Sequence, residues 1–157
     1  MARTQLRETK IVKWLGEIPI ESLYTAGLGG QVFFKALKEK GEIVGTRCDP
    51  CIQVYVPARR FCERCFAELT EEVKVKSEGA VKSFSCSYVD HRGRRLKQPV
   101  AAALVQLDGA TTVMLHRLLD VKDVSRLSIG SRVRAVIKAK AKRTGSILDI
   151  EGFRLMA

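Results

Sequence analysis

Hydrophobic positions change period along this chain. Between Gly30 and Gly41 they recur at helical spacing: Val32, Phe33, Ala36 and Leu37 form one stripe, Lys35, Lys38 and Glu39 fall outside it, and Gly41 supplies a stop. Residues 1–28 carry no clear period, and "IPIESLYTAGLGG" has the Pro and Gly punctuation of an extended lead-in. The polar connector "AELTEEVKVKSEG" contains one short strand candidate, Val73–Val75. After Gly79 the pattern shifts to short strand-like segments. Ala80–Val89 sets Phe84, Cys86 and Tyr88 on one face, expected to be buried, and serines on the other. Val100–Leu107 reads as a continuously apolar buried strand, Asp108-Gly109 as a tight turn, and Thr111–Leu119 as the return arm of a hairpin. Residues 120–128 allow a helical turn, and Arg132–Ala139 and Ser146–Phe153 supply two more strands. Five short strands, with an irregular piece between the third and fourth, predict an OB-type barrel, a different five-stranded barrel being the alternative.

Between helix and barrel stands "RCDPCIQVYVPARRFCERCF", with four of the five cysteines in two C-x-x-C pairs. Each tight turn aims two thiolates at one point, and two turns facing across a hairpin complete a tetrahedral S₄ shell suited to Zn²⁺. Cys48, Cys51, Cys62 and Cys65 are therefore the expected metal ligands, with Arg47 and Arg64 placed to offset thiolate charge. Redox use would call for one exposed pair near a βαβ unit, which the pattern lacks. An iron–sulfur cluster takes similar ligands, but the evenly paired ribbon favours zinc. Four thiolates leave no open position for water, so the expected metal is structural and folds a knuckle too small to bury a core of its own. The fold class that follows is mainly β with an N-terminal helix: a rubredoxin-like zinc ribbon, then a five-stranded OB barrel. Its expected divisions are an N-terminal helical segment (1–42), the ribbon (43–76) and the OB domain (77–157).

Composition supports a folded chain: 46% of the 157 residues are hydrophobic, enough for a real core. No apolar run approaches the roughly 20 residues that cross a bilayer, and "MARTQLRETKIVKW" lacks the apolar stretch of a signal peptide. A cytoplasmic location, without membrane partners, is the expectation, and reducing conditions there favour metal over disulfides. Catalytic groups are scarce. Cys86 sits mid-strand as a small hydrophobe, and His91 and His116 are the only histidines. No Gly-rich phosphate loop, nucleophile elbow or HExxH occurs. A thiol–imidazole pair using Cys86 is the least favoured of the functional readings.

Charge redirects attention to the barrel. Residues 1–78 carry 13 Lys+Arg against 11 Asp+Glu, whereas residues 79–157 carry 15 against 6. The excess gathers in "DHRGRRLKQP", with Arg92, Arg94, Arg95 and Lys97, and in "KAKAKRTG", with Lys138, Lys140, Lys142 and Arg143. In an OB fold these two loops flank one ligand-binding face, where guanidinium and ammonium groups hold phosphates. Single-stranded nucleic acid would also need exposed aromatics for stacking, and residues 79–157 offer only Phe84, Tyr88 and Phe153. A nucleotide-containing cofactor such as coenzyme A needs the charge without that platform.

The order helix, four-cysteine ribbon, barrel resembles the zinc-ribbon/OB-fold proteins of acyl-CoA metabolism that accompany thiolases. The resemblance rests on "GLGGQVFFKALKEKGEIVGTRCDPC", "VPARRFCERC", "EGAVKSFSCSYVDHRGRRLKQPVAAALVQLDG", "IGSRVRAV" and "RTGSILDIEGF", about residues 23–154. Ile52 replaces the Gly that often follows the second cysteine, and Val56-Pro57-Ala58 replaces a double proline. Neither change removes a ligand. The resemblance implies a non-catalytic accessory subunit of a thiolase-type acyltransferase, in a hetero-oligomer whose large subunit carries the chemistry. Small subunits of this kind serve archaeal acetoacetyl-CoA and hydroxymethylglutaryl-CoA formation, steroid side-chain breakdown and anaerobic aromatic degradation, including a benzoylsuccinyl-CoA thiolase. In that setting the ribbon and helix are expected to dock on the large subunit. Arg92, Arg94, Arg95, Lys97, Lys140, Lys142 and Arg143 are the expected contacts to CoA phosphates. The rival reading is a nucleic-acid-binding OB/zinc-ribbon protein.

Overall fold

In the computed structural model, which describes residues 24–121 and 123–156, the helical stripe forms α1, Gly27–Glu39. Residues 1–23 of the expected lead-in lie outside the described part. Phe33 and Leu37 are fully buried, with Val32 and Phe34 packed beside them, as the stripe requires. The helix starts three residues earlier than the apolar period suggests, because its first turn is set by contact. A Cβ on Gly29 would stand 2.7 Å from the Ala58 carbonyl oxygen, so only glycine lets α1 approach the ribbon backbone there. Gly41, at φ +70°, ends the helix in the left-handed region as expected.

The ribbon is a three-stranded antiparallel sheet. Strand β1 (Ile43–Cys48) lies between β2 (Gln53–Tyr55) and β3 (Glu71–Val75). The barrel follows: β4 (Glu78–Val89), β5 (Arg95–Leu107), β6 (Met114–Leu119), β7 (Arg132–Ile137) and β8 (Ile150–Leu155) close in the order β4-β5-β6-β8-β7. Only β6 and β8 pair in parallel, across the connection that holds the 3₁₀ turn Val124–Arg126. This is the expected fold class: one helix, a cysteine ribbon and a closed five-stranded OB-like barrel.

Four strand expectations change in detail, the last along the chain simply: the strand expected over Ser146–Phe153 begins at Ile150, because Ser146 caps a 3₁₀ turn over Ile147–Asp149. In β4 the register slips between Val81 and Ser83, so Lys82 is an extra residue that resets the alternation. Val81 and then Phe84 and Cys86 face inward, but Tyr88 lies past the barrel's end and is 56% exposed, not buried. Strand β5 is half-buried and not buried throughout: Ala101, Ala103, Val105 and Leu107 enter the core, while Val100, Ala102 and Leu104 face out. Strand β6 begins at Met114, because Thr111 and Thr112 are diverted to the ribbon. The Thr111 hydroxyl accepts from Val54 N–H (2.9 Å), the Thr112 hydroxyl accepts from Val56 N–H (2.9 Å), and Thr111 N–H donates to Val54 O (3.0 Å). The turn after β5 thus completes the hydrogen bonding of the ribbon's edge strand. One apolar cluster spans α1, the ribbon's inner side and the barrel, with Phe33, Ile43, Val56, Val105 and Phe153 among its members.

Candidate metal centre and basic face

The second apolar cluster is small and surrounds the cysteines: Cys48, Tyr55, Cys62 and Leu69 are buried together, with Cys51 packed against them. Cys48 ends β1, Cys51 closes the first knuckle, and Cys62 and Cys65 form the second, which is folded by Phe66 N–H to Cys62 O (3.0 Å) and Cys62 N–H to Ala67 O (2.9 Å). The four Sγ atoms lie within 4.8 Å of one another, and Cys48 and Cys65 are 3.5 Å apart. A tetrahedral zinc with Zn–S near 2.3 Å sets sulfurs about 3.8 Å apart, so the donor set fits the ion. The four predicted ligands are brought to one point.

The surroundings act on the thiols unequally. The fully buried Tyr55 hydroxyl stands 3.2 Å from Cys62 Sγ, and Arg64 N–H also donates to that sulfur at 3.4 Å. The tyrosine hydrogen bond is the main cause that brings the Cys62 thiol down to about 6, against the opposing effect of burial. The same contact pushes Tyr55 up to about 12. Cys51 is raised to about 12, first by its hydrogen bond with Cys65 and then by burial, and burial raises Cys48. Four neighbouring thiols cannot all ionise without a cation among them, which is the chemistry of a metal-binding shell. Arg47 is spent on Asp49 (2.7 Å), so its expected help to the thiolates goes instead to a neighbouring carboxylate.

The first basic loop is a hairpin tip organised by Asp90. That carboxylate accepts from Arg92 N–H (2.8 Å), Arg94 N–H (2.9 Å) and Arg94 Nε (2.8 Å); donation from the Arg94 backbone is the largest influence holding it below the usual carboxylate range. Arg94 is therefore tied down. Among the described residues no ion pair involves the exposed Arg92, Arg95 or Lys97.

The second basic loop is built around Asp149, which sequence reading passed over. Its fully buried carboxylate accepts from Thr144 N–H (2.9 Å), Gly145 N–H (2.7 Å) and Ser146 N–H (3.4 Å), and Ser146 with Asp149 forms a capping box. Burial works to raise this carboxyl, but the three backbone donors outweigh it and hold it low. A Ser followed three residues later by Asp was the available signal. Arg143 folds back on α1: its guanidinium donates to Lys138 O (2.7 Å) and lies against Gly41, with Lys38 O at 3.5 Å. Lys140 and Lys142 remain exposed.

Strand register places the two loops. The first closes the end of β4–β5 beyond the Ser87–Val100 pair, and the second enters β8 beside Leu115, past the Leu104–Leu115 pair. They bracket the outer face of β4–β5–β6 from opposite ends and form no single anion pocket. Cys86 faces Ala101 and His116 faces Ala103, two strands apart; His116 Nδ1 accepts from Arg117 N–H (3.0 Å), its ring meets Phe153 edge-on, and burial lowers its pKa.

Two family models match contiguous stretches of the chain: the ChsH2 rubredoxin-like zinc ribbon domain over residues 36–71 and the ChsH2 C-terminal OB-fold domain over residues 72–138. The chain belongs to the ChsH2-type zinc-ribbon/OB-fold family. A DUF35 domain-containing scaffold protein of Methanocaldococcus jannaschii is 27% identical over 106 residues, covering 67% of this chain and 74% of that protein. A DUF35-family protein of Sulfolobus solfataricus, solved at 1.80 Å, superposes with a TM-score of 0.63 at 27% identity, over 82% of this chain and 84% of the other. The Ltp2-ChsH2(DUF35) aldolase structure shares the fold, with a TM-score of 0.55 at 20% identity over 79% and 91% of the two chains. Among the described residues no helix is long and apolar enough to cross a membrane.

Proposed function

We propose that this chain is a non-catalytic accessory subunit of a thiolase-type acyl-CoA acyltransferase. Its ribbon holds one structural Zn²⁺ through Cys48, Cys51, Cys62 and Cys65, and its barrel presents cations to the CoA phosphates where the two subunits meet. The observation that carries the reading is the ribbon–barrel family membership joined to a metal centre whose four thiolates fill every tetrahedral position. A metal so enclosed shapes the protein and leaves bond-making to a partner. The scaffold relative and the ChsH2 chain of an aldolase assembly lend support, because both names describe proteins that work with others.

Among the seven basic residues expected at CoA phosphates, Arg92, Arg95, Lys97, Lys140 and Lys142 are exposed and make no ion pair among the described residues, which suits them to phosphate. Arg94 and Arg143 act through the loops they hold in shape. A nucleic-acid ligand is the second reading. Tyr88 is exposed after all, which supplies one aromatic near the first loop, but Phe84 is half-buried and Phe153 fully buried. One ring is a poor stacking platform.

The test is co-expression with a thiolase-type large subunit, followed by size-exclusion chromatography and a thiolysis assay. Co-elution and thiolysis that depends on this chain are expected. If the two never co-elute and the large subunit alone is as active as the mixture, the reading is wrong.

A further inference from the structure

Among the described residues, one side chain from outside the cysteine shell reaches a ligand sulfur: the Tyr55 hydroxyl, 3.2 Å from Cys62 Sγ. Tyr55 closes β2, pairs with Thr46 of β1, and is fully buried beside Cys48, Cys62 and Leu69. A phenylalanine would fill that space without a polar atom. Burying a hydroxyl away from water costs free energy unless a hydrogen bond compensates it, so the presence of the oxygen is explained by its partner. That partner is one of the four sulfurs of the metal shell.

Metal loading fixes the direction of this bond. With zinc bound, the cysteines are thiolates without protons, so Cys62 Sγ only accepts and the Tyr55 hydroxyl donates. Four thiolates around a divalent ion leave net negative charge in a partly buried pocket, where a donated hydrogen bond is stronger than in water. Cys62 Sγ takes two such bonds, from the hydroxyl and from Arg64 N–H at 3.4 Å. The ring is also held by a cation. The Arg59 guanidinium lies over it, 5.1 Å from its centroid, and draws electron density from the ring, which makes the hydroxyl a better donor. Arg59 is itself fixed, by its ion pair with Glu63 (2.7 Å) and by an exchange of bonds with Thr46: Arg59 N–H donates to the Thr46 hydroxyl, which donates to Arg59 O, both at 2.9 Å. Groups from β1, β2 and the second knuckle thus converge on the hydroxyl that meets one sulfur.

We infer that Tyr55 is a positioning residue of the metal centre, whose hydroxyl donates to the Cys62 thiolate, orients that sulfur, disperses its charge and so tightens the hold on zinc. The inference rests on the ribbon holding zinc and is independent of which protein the chain assists. Tyr55 acts on the metal through Cys62 alone. Groups at this remove from a metal contribute about 10–100-fold to its affinity.

The experiment uses the full-length chain, loaded with Co²⁺ for spectroscopy and with Zn²⁺ in competition with a chelator for affinity. Thiolate-to-cobalt charge-transfer bands report the electron density on sulfur. Tyr55→Phe is expected to move those bands to lower energy, because a sulfur relieved of its hydrogen bond gives up electrons more readily, while the d–d bands keep their tetrahedral pattern. Zinc affinity should fall about 10–100-fold. Leu69→Ala, which loosens the same cluster without touching the hydrogen bond, should lower Tm and leave the charge-transfer bands in place. Replacing the three tyrosines by 3-fluorotyrosine preserves the ring, strengthens its hydroxyl as a donor and should move the bands to higher energy; Tyr24 and Tyr88 are exposed and outside the cluster. This arm decides the matter should Tyr55→Phe not fold. If wild type binds both ions and neither replacement moves the bands, with zinc affinity within twofold, Tyr55 only fills space and the inference is overturned while the metal reading stands. A wild type that takes up neither ion overturns both.

Discussion

Replacing Asp149 by Asn tests the account of the second basic loop with almost no change of shape. The native carboxylate is fully buried and accepts short bonds from Thr144 and Gly145 N–H, with a longer one from Ser146. A hydrogen bond to a charged acceptor is worth about 1.5–3 kcal/mol, against about 0.5–1.5 for a neutral one. Asn keeps one oxygen, so two strong bonds each lose about 1 kcal/mol, and the amide nitrogen turns a second donor towards the backbone. Thr144 N–H, which reaches both carboxylate oxygens (2.9 and 3.0 Å), then faces a donor where it had an acceptor, at about 1–3 kcal/mol. The expected loss is about 3–5 kcal/mol, or about 6–20 °C in Tm for a chain of this size. Urea unfolding at pH 7 and thermal scans measure it. The pH dependence has a definite sign. Asp149 is depressed in the folded state, so its contribution is complete above its unfolded pKa of about 3.9 and is lost as pH falls through the lower folded value. The gap between wild type and variant should narrow below about pH 4. A variant within 1 kcal/mol of wild type at neutral pH would refute the claim that this carboxylate builds the loop.

Cys62→Ser is expected to abolish stoichiometric zinc binding and unfold the ribbon, because structural zinc supplies about 10–16 kcal/mol in small ribbons and fingers, comparable to a whole domain's stability; metal analysis and hydrogen exchange of β1 and β2 check it. The double variant Thr111→Val, Thr112→Val removes two side-chain acceptors from the Val54 and Val56 amides at about 1 kcal/mol each. Exchange of those two amides should accelerate about fivefold to tenfold, with barrel amides unchanged. Arg143→Ala should cost about 1–2 kcal/mol and render residues 138–146 more sensitive to protease, since its guanidinium ties Lys138 O to the end of α1. Gly41→Ala should cost a similar amount, as its Cβ would meet that guanidinium at 2.6 Å in a left-handed backbone.

Much of this architecture was readable in the chain because its signals are local. Two C-x-x-C turns announce their own geometry, the α1 stripe states which face is buried, and Asp108-Gly109 marks its turn. What escaped depends on partners distant in sequence. Tyr88 falls at a second register shift, between Ser87 and Val89 past the barrel's end, and nothing nearby signals its exposure. Thr111 and Thr112 look like ordinary strand residues until β2, some 57 positions earlier, comes to meet them. Arg143 reads as a free cation because the α1 carbonyl that engages it lies 105 residues away. The basic loops were visible as charge, but their separation to opposite ends of one face follows only from register.

The threonine tie also has a consequence for how the chain matures during synthesis. All four cysteines have been made by residue 65, yet the ribbon's edge strand is finished only by residues 111 and 112. A nascent chain that has just emerged with its knuckles must hold metal on an incomplete sheet until the barrel's second hairpin arm follows it out. Contacts of such long sequence separation form late, after the entropy of closing the intervening loop has been met. Zinc capture and barrel closure are thereby made successive stages of one assembly, and a chain interrupted between them exposes the edge of β2 to whatever strand reaches it first.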